Sequence, residues 1–384
     1  MRKRVNALKR TIRILFADPL YGVRMTMVKA RTFFPVDYRY FRSGRALPPV
    51  HLTLEVTHRC NLACHMCDLY GREEEIDSIR SHREDRGEGF GVPVFRKLID
   101  SFGLFKPVLS FGGGEPLLHP ELSEMVAMAK RRGFTCTVTT NGTLLRDKAS
   151  SLVEAGLDNL VLSIDGPEKV HDSIRGVPGT FAKAKAGAKE LLRIQRTEGR
   201  SKPRLRINCT INSRNFGLLS EIVGVAEDFG AESLLFSHLW FWDRAIVQKH
   251  NRLFGHYCPV VEQNAQELDL IEPDVLSGEI EKTRGRKTRL LIKFLPELNP
   301  DGVRRYYRES TKALDRLACK APWLTAFIMP DGTVLPCLDF KYGNLNERSF
   351  GEIWNGDRAR EFRRRIGRTG IFPACVRCCM LYSF

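Results

Sequence analysis

The chain has 384 residues, 43% hydrophobic and 28% charged, enough for two or three domains around a sizeable core. No apolar run reaches the roughly 18 residues of a membrane span, and the basic N-terminus lacks the continuous apolar region of a signal peptide, so a cytoplasmic protein is expected. The net charge of +16 is uneven: residues 1–50 hold 12 Lys and Arg against only Asp18 and Asp37.

In chain order, the first feature is a basic amphipathic segment. Val5, Leu8, Ile12, Leu15 and Phe16 recur at helical spacing, with Arg2, Lys3, Arg4, Lys9, Arg10 and Arg13 largely elsewhere. It reads as a helix packed on the main domain, or as one lying on an anionic membrane face or an acidic partner. No nucleic acid is expected, because no recognition motif accompanies the charge.

From residue 50, strand-like runs at 51–56, 107–111, 135–139, 160–164, 204–211 and 232–236 alternate with helical patterns. Six βα repeats predict an α/β fold, a partial (β/α)6 TIM-like barrel, with chemistry at the C-terminal strand ends. The charged stretch 71–91 reads as a loop. Residues 243–316 read as a bridge with one short strand at 290–294. After that come a hairpin around Asp331-Gly332, a helix in "SFGEIWNGDRAREFRRRI" and a terminal "CVRCC". The expected organisation is a basic segment 1–49, a barrel 50–242, a bridging region 243–316 and a small α+β domain 317–384.

Eleven cysteines, an odd number, point to metal or redox chemistry in a compartment where disulfides are rare. Cys60, Cys64 and Cys67 follow the first strand in "HRCNLACHMC", with spacing C-x3-C-x2-C. Three thiolates can hold three corners of a [4Fe–4S] cluster and leave one iron open for an exogenous ligand. On this loop alone, zinc completed by His58 or His65, or a structural cluster with a distant fourth cysteine, stays open.

The loop resembles the cluster loop of the radical S-adenosylmethionine (radical SAM) superfamily, and the resemblance repeats at successive strand ends over roughly residues 50–242. "SFGGGEP" (110–116) resembles that family's glycine-glycine-glutamate motif, "TTNG" closes the third strand, "SIDGP" (163–167) the fourth, and "HDSIRG" follows. The resemblance implies that S-adenosylmethionine chelates the open iron and is cleaved, after one-electron reduction, to methionine and a 5′-deoxyadenosyl radical that abstracts a hydrogen atom. It also implies roles for the cofactor-binding residues. Gly113 and Gly114 would admit the ligand closely, Glu115 would accept from its ammonium, and Ser163 and Asp165 would reach the ribose. Arg175 would hold the carboxylate, and Met66 would touch the adenine. His58 and His65 are then neighbours rather than ligands.

Cys319, Cys337, Cys375, Cys378 and Cys379 lie in the last stretch with spacing C-x17-C-x37-C-x2-C and one adjacent thiol. With "PDGTVLPC" and "CVRC", this resembles the twitch form of the SPASM domain. The resemblance implies one auxiliary [4Fe–4S] cluster on Cys319, Cys337, Cys375 and Cys378, with Cys379 as an alternative to Cys378 and structural zinc as an alternative metal. Cys136, Cys209 and Cys258 are expected to be structural.

A closed cluster would conduct an electron, giving oxidation or bond formation on a peptide, lipid, sugar or other small-molecule substrate. A flavodoxin- or ferredoxin-like electron donor is implied. A non-enzymatic iron–sulfur or zinc scaffold is the contrasting reading. His119, His238, Asp339 and Tyr342 are acid–base candidates by position only.

Overall fold

The computed structural model describes residues 43–67, 90–314, 318–337 and 340–383. The predicted N-terminal helix, nearly all of the charged 71–91 stretch and Asp339 lie outside the described residues.

All six predicted barrel strands form: β1 (His51–Thr57), β2 (Val108–Gly113), β3 (Thr135–Thr140), β4 (Asn159–Ser163), β5 (Arg204–Ile211) and β6 (Ser233–His238). Each pairs in parallel with the next. Alternation explains their placement. Leu52, Leu54 and Val56 on β1, Leu109 and Phe111 on β2, and Leu160 and Leu162 on β4 are all fully buried. Each such side chain stabilises the fold by about 1.5–3 kcal/mol on leaving water. They face the helices α1 (Val92–Asp100), α2 (Leu122–Arg131), α3 (Leu145–Glu154), α4 (Glu168–Arg175), α5 (Thr180–Thr197) and α6 (Leu219–Asp228). The intervening residues, among them Thr53, Glu55, Ser110, Thr137, Ser163 and Asn208, are only half-buried. A parallel sheet covered on both faces would be apolar throughout. This one keeps a polar inner face.

The sheet extends past the predicted barrel on both sides. The bridging strand, β7 (Leu291–Leu295), pairs in parallel with β6. The first hairpin strand, β8 (Thr325–Ile328), pairs in parallel with β1. Antiparallel β9 (Thr333–Leu335) and β10 (Gly343–Asn344) complete one open ten-stranded sheet, ordered β10-β9-β8-β1-β2-β3-β4-β5-β6-β7. The bare edges of β1 and β6 would present rows of unpaired backbone groups; β8 and β7 take them up.

Between β6 and β8 lie α7 (Arg244–Phe254), α8 (Pro273–Gly285) and α9 (Pro300–Arg308), and after β10 come α10 (Phe350–Trp354) and α11 (Asp357–Thr369). Ser349 and Glu352 form a capping box that starts α10. Arg363 on α11 is fully buried. It donates to the carbonyls of Pro322 (2.7 Å), Trp354 (2.7 Å) and Gly44 (3.3 Å), its guanidinium 4.0 Å from the Trp354 ring centre. Trp354 Nε1 donates to Leu47 O at 2.8 Å, so residues 44–47 are fastened to the C-terminal helices. No helix among the described residues is long and apolar enough to cross a membrane.

Candidate active site

The cysteine loop is clamped from two sides. From β2, Gly114 N donates to Thr57 O and Glu115 N to Arg59 O, both at 2.8 Å. A Cβ on Gly114 would lie 2.3 Å from Arg59 O, and Gly113, at φ +109°, would place one 2.4 Å from Thr57 O. These glycines therefore admit the backbone of the cysteine loop. From the other side, Ala63 N donates to Arg175 O (3.3 Å) and His65 N to Ile174 O (3.2 Å). Gly176, at φ +73° after α4, passes so close that a Cβ would sit 2.4 Å from Ala63 O.

This clamp brings most of the predicted residues together. Arg175 Nη1 donates to Cys64 Sγ at 3.7 Å, and its Nη2 lies 2.5 Å from Asp165 Oδ2. Burial opposes the Arg175 charge, but Asp165 and Cys64 outweigh it and hold the guanidinium protonated. Asp165 is fully buried, its Oδ1 accepting from Thr210 N at 2.9 Å and its backbone N–H facing His171 Nδ1 at 3.2 Å. Both carboxylate oxygens are thus engaged. Asp165 and Arg175 form a buried pair beside the cysteine loop. Arg175 Nε is buried without a hydrogen-bond partner.

Glu115 is also buried. Its Oε1 accepts from Thr140 Oγ1 (2.6 Å) and Leu117 N (3.0 Å), and its Oε2 from Asn141 N (2.8 Å). Burial raises its pKa more than these bonds lower it. Burial, followed by the charges of Glu115 and Cys64, raises the Cys60 thiol. Cys64 is raised by burial and partly pulled back by Arg175. Cys60, Cys64, Glu115, Asp165 and Arg175 therefore share one electrostatic site. Cys67 and Met66 are half-buried at the end of the loop, where Cys67 N donates to Cys64 O at 3.0 Å. Ser163, half-buried on the inner face, stands beside Asn208 in register.

His58 lies 3.1 Å from Glu55 Oε2. His65 is held by Ile174 O through Nδ1 (3.2 Å) and faces Glu267 Oε1 through Nε2 (3.5 Å). Glu267 escaped the sequence reading because it lies some 200 residues away, in the bridging region. Burial would raise its pKa, but hydrogen bonds from His65 and Ser213 bring it down to about 2. The acid–base candidates do not converge. His119 Nδ1 accepts from Glu121 N at 3.2 Å. His238 pairs with Tyr307 OH at 3.0 Å and is pushed down to about 3 by burial. Tyr342 is buried among Phe340, Phe362 and Trp354.

In the second set, Cys337 is raised by burial and then by Cys375, Cys319 and Cys378. Cys375 is raised by burial and then by Cys319 and Cys378. The four thiols thus share one neighbourhood. Cys379 donates to Cys378, whose pKa it helps bring down to about 7. Cys258 acts on Cys337 and Cys375, a neighbour that its expected structural role did not foresee. Its Sγ lies 3.7 Å from His250 Nε2.

Among the described residues, no three His, Cys, Asp or Glu side chains converge tightly enough to hold a single metal ion.

Residues 54–199 match the radical SAM superfamily, and residues 319–379 match SPASM, an iron-sulfur cluster-binding domain. The chain is 25% identical over 355 residues to the tungsten-containing aldehyde ferredoxin oxidoreductase cofactor-modifying protein of Pyrococcus furiosus, covering 85% of this chain and 86% of that one. It is 28% identical over 347 residues to the PqqA peptide cyclase of Xanthomonas campestris, covering 86% and 79%. Its fold is similar to Streptococcus suis SuiB bound to S-adenosylmethionine, with TM-score 0.55 and 18% identity, covering 94% and 78%. The scaffold reading gives way to an enzyme that uses S-adenosylmethionine, a [4Fe–4S] cluster and auxiliary iron–sulfur chemistry. The chain belongs to the radical SAM superfamily and carries a C-terminal SPASM-type iron–sulfur domain.

Proposed function

We propose that this enzyme abstracts a hydrogen atom from a peptide or protein segment held on the polar inner face of the sheet, and that the segment leaves oxidised or cross-linked. The observation that carries the reading is the clamped loop, with three thiols at one strand end and a buried Asp165–Arg175 pair aimed at Cys64. The cluster and S-adenosylmethionine, when bound, supply a 5′-deoxyadenosyl radical by one-electron cleavage of a C–S bond.

The chain's own residues position and shield. Cys60, Cys64 and Cys67 would hold the cluster, whose remaining iron would be free to take S-adenosylmethionine. Glu115 Oε2, with one hydrogen bond accepted, keeps a lone pair for the ammonium. Ser163 at the C-terminal end of β4 and its neighbour Asn208 on β5 offer hydroxyl and amide groups, and Met66 offers an apolar contact. Asp165 orients Arg175, and Arg175 orients the Cys64 turn. Cys319, Cys337, Cys375 and Cys378 would supply four thiolates to an auxiliary cluster, which would suit electron transfer because no position would be left vacant. The likeness to a peptide cyclase across most of both chains supports the peptide class.

The test is anaerobic reconstitution followed by dithionite and S-adenosylmethionine. About eight irons per chain and release of 5′-deoxyadenosine are expected; zinc in place of iron would sink the reading. Deuterium from a labelled peptide, recovered in 5′-deoxyadenosine, would establish the substrate class. Recovery only from small metabolites would reject it.

A further inference from the structure

We propose that the exposed arginine face of α11 is the docking surface for an acidic one-electron carrier protein, placed against the C-terminal cysteine set. The proposal rests on reading those cysteines as a cluster site. Reductive cleavage of S-adenosylmethionine consumes an electron from outside the chain, so a carrier must meet this surface somewhere.

Helix α11 carries six arginines against Asp357 and Glu361. Arg363 is turned into the core, and Arg358 lies over the Phe340 ring at 5.4 Å. Arg360 pairs with Asp357 (2.5 Å) and Arg365 with Glu361 (3.3 Å). Arg364 and Arg368 are exposed, with no carboxylate partner among the described residues. With Arg365, Glu361, Thr369 and Phe254 they line a surface cavity of about 470 Å³.

The wall behind this cavity is thin. Phe254 packs on Phe372 with ring centres 4.7 Å apart, and Phe372 O accepts from Cys375 N at 2.9 Å. Gly370 O, at the end of α11, accepts from Cys319 N at 2.9 Å. Arg365 lies 3.9 Å from the Tyr257 ring centre, and the next residue, Cys258, acts on Cys337 and Cys375. The basic face is thus about one side-chain layer from the thiols.

Charge selects the partner. Unpaired arginines steer an acidic protein and repel a basic one. A membrane is disfavoured because an interfacial helix inserts an apolar face, whereas Ala359, Phe362 and Ile366 of α11 are buried in the domain.

The experiment uses the full chain, reconstituted anaerobically, with a recombinant acidic flavodoxin as probe. Biolayer interferometry should show binding that weakens as salt rises. R364E/R368E should weaken it about tenfold, and K183E/K189E, a matched reversal at exposed positions on α5, by about twofold or less. Iron content and the cluster absorption band should be unchanged in both variants. Equal binding by all three proteins, or no binding by iron-loaded wild type, overturns the docking surface alone. Loss of phosphatidylglycerol-vesicle binding without loss of flavodoxin binding reassigns the face to a membrane and overturns it too. Failure of iron to load on the C-terminal cysteines overturns the cluster reading and the proposal with it.

Discussion

The two cysteine sets sit in contrasting settings. Cys60 and Cys67 are half-buried on a loop held by backbone bonds from two neighbouring elements, and Cys64 meets an arginine. Cys319, Cys337, Cys375 and Cys378 share one neighbourhood instead, with Cys319 and Cys375 buried. A loop that supplies three thiols beside a guanidinium leaves a position for an incoming ligand. Four thiols turned inward close their site. On the proposed function, the contrast separates a place where a ligand would be activated from a place where charge would be stored or passed on.

The largest test removes each set in turn. C60A/C64A/C67A should abolish 5′-deoxyadenosine formation and cut iron from about eight to about four per chain, measured by chromatography and iron assay. C375A/C378A should lose a similar amount of iron yet still cleave S-adenosylmethionine when dithionite supplies the electron, while losing product. Product formation that survived C375A/C378A would remove the electron-transfer role from the second set.

The next effect concerns the buried pair that only the first set has. Asp165→Asn leaves the Arg175 charge buried without its carboxylate, and removing one partner of such a pair costs about 3–5 kcal/mol. A large fall in the urea midpoint is expected, with a weakened first-cluster signal and an intact second one. A smaller expected change is Gly114→Ala. Its Cβ would overlap Arg59 O, so the loop must shift, at about 1–3 kcal/mol. Unchanged 5′-deoxyadenosine yield in this variant would show that the close approach does not set the loop's geometry.

Much of this was legible in the chain because short-range signals carry it. Alternating apolar residues gave the six strands, and Cys60, Cys64 and Cys67 are neighbours in sequence. The partners of side chains were less legible, because tertiary contacts decide them. Asp165 and Arg175 are ten residues apart and read equally well as ligand contacts; only the folded α4 turns them toward each other. The outer strands β7 and β8 were visible as strands, but their joining the barrel edges depends on which backbone groups remain unpaired. Cys258 gave no motif, and Glu267 lay in a region of weak pattern.

Glu267 sharpens the comparison with the smallest effect, because it ties the bridging region to the first cysteine loop through His65 and to residue 213 through Ser213 N at 2.9 Å. Its pKa falls from an ordinary 4.5 to about 2 in the folded chain. The folded state therefore binds this proton less readily than the unfolded state. The stabilisation is present above 4.5 and is lost as pH falls toward about 2. Glu267→Gln should cost about 1 kcal/mol at neutral pH, read from urea midpoints. The gap between wild type and variant should narrow as pH falls below about 4.5, since wild type alone loses this contribution. A gap that stayed constant with pH would mean that Glu267 acts by packing, and that its charge does not hold His65 and the cysteine loop in place.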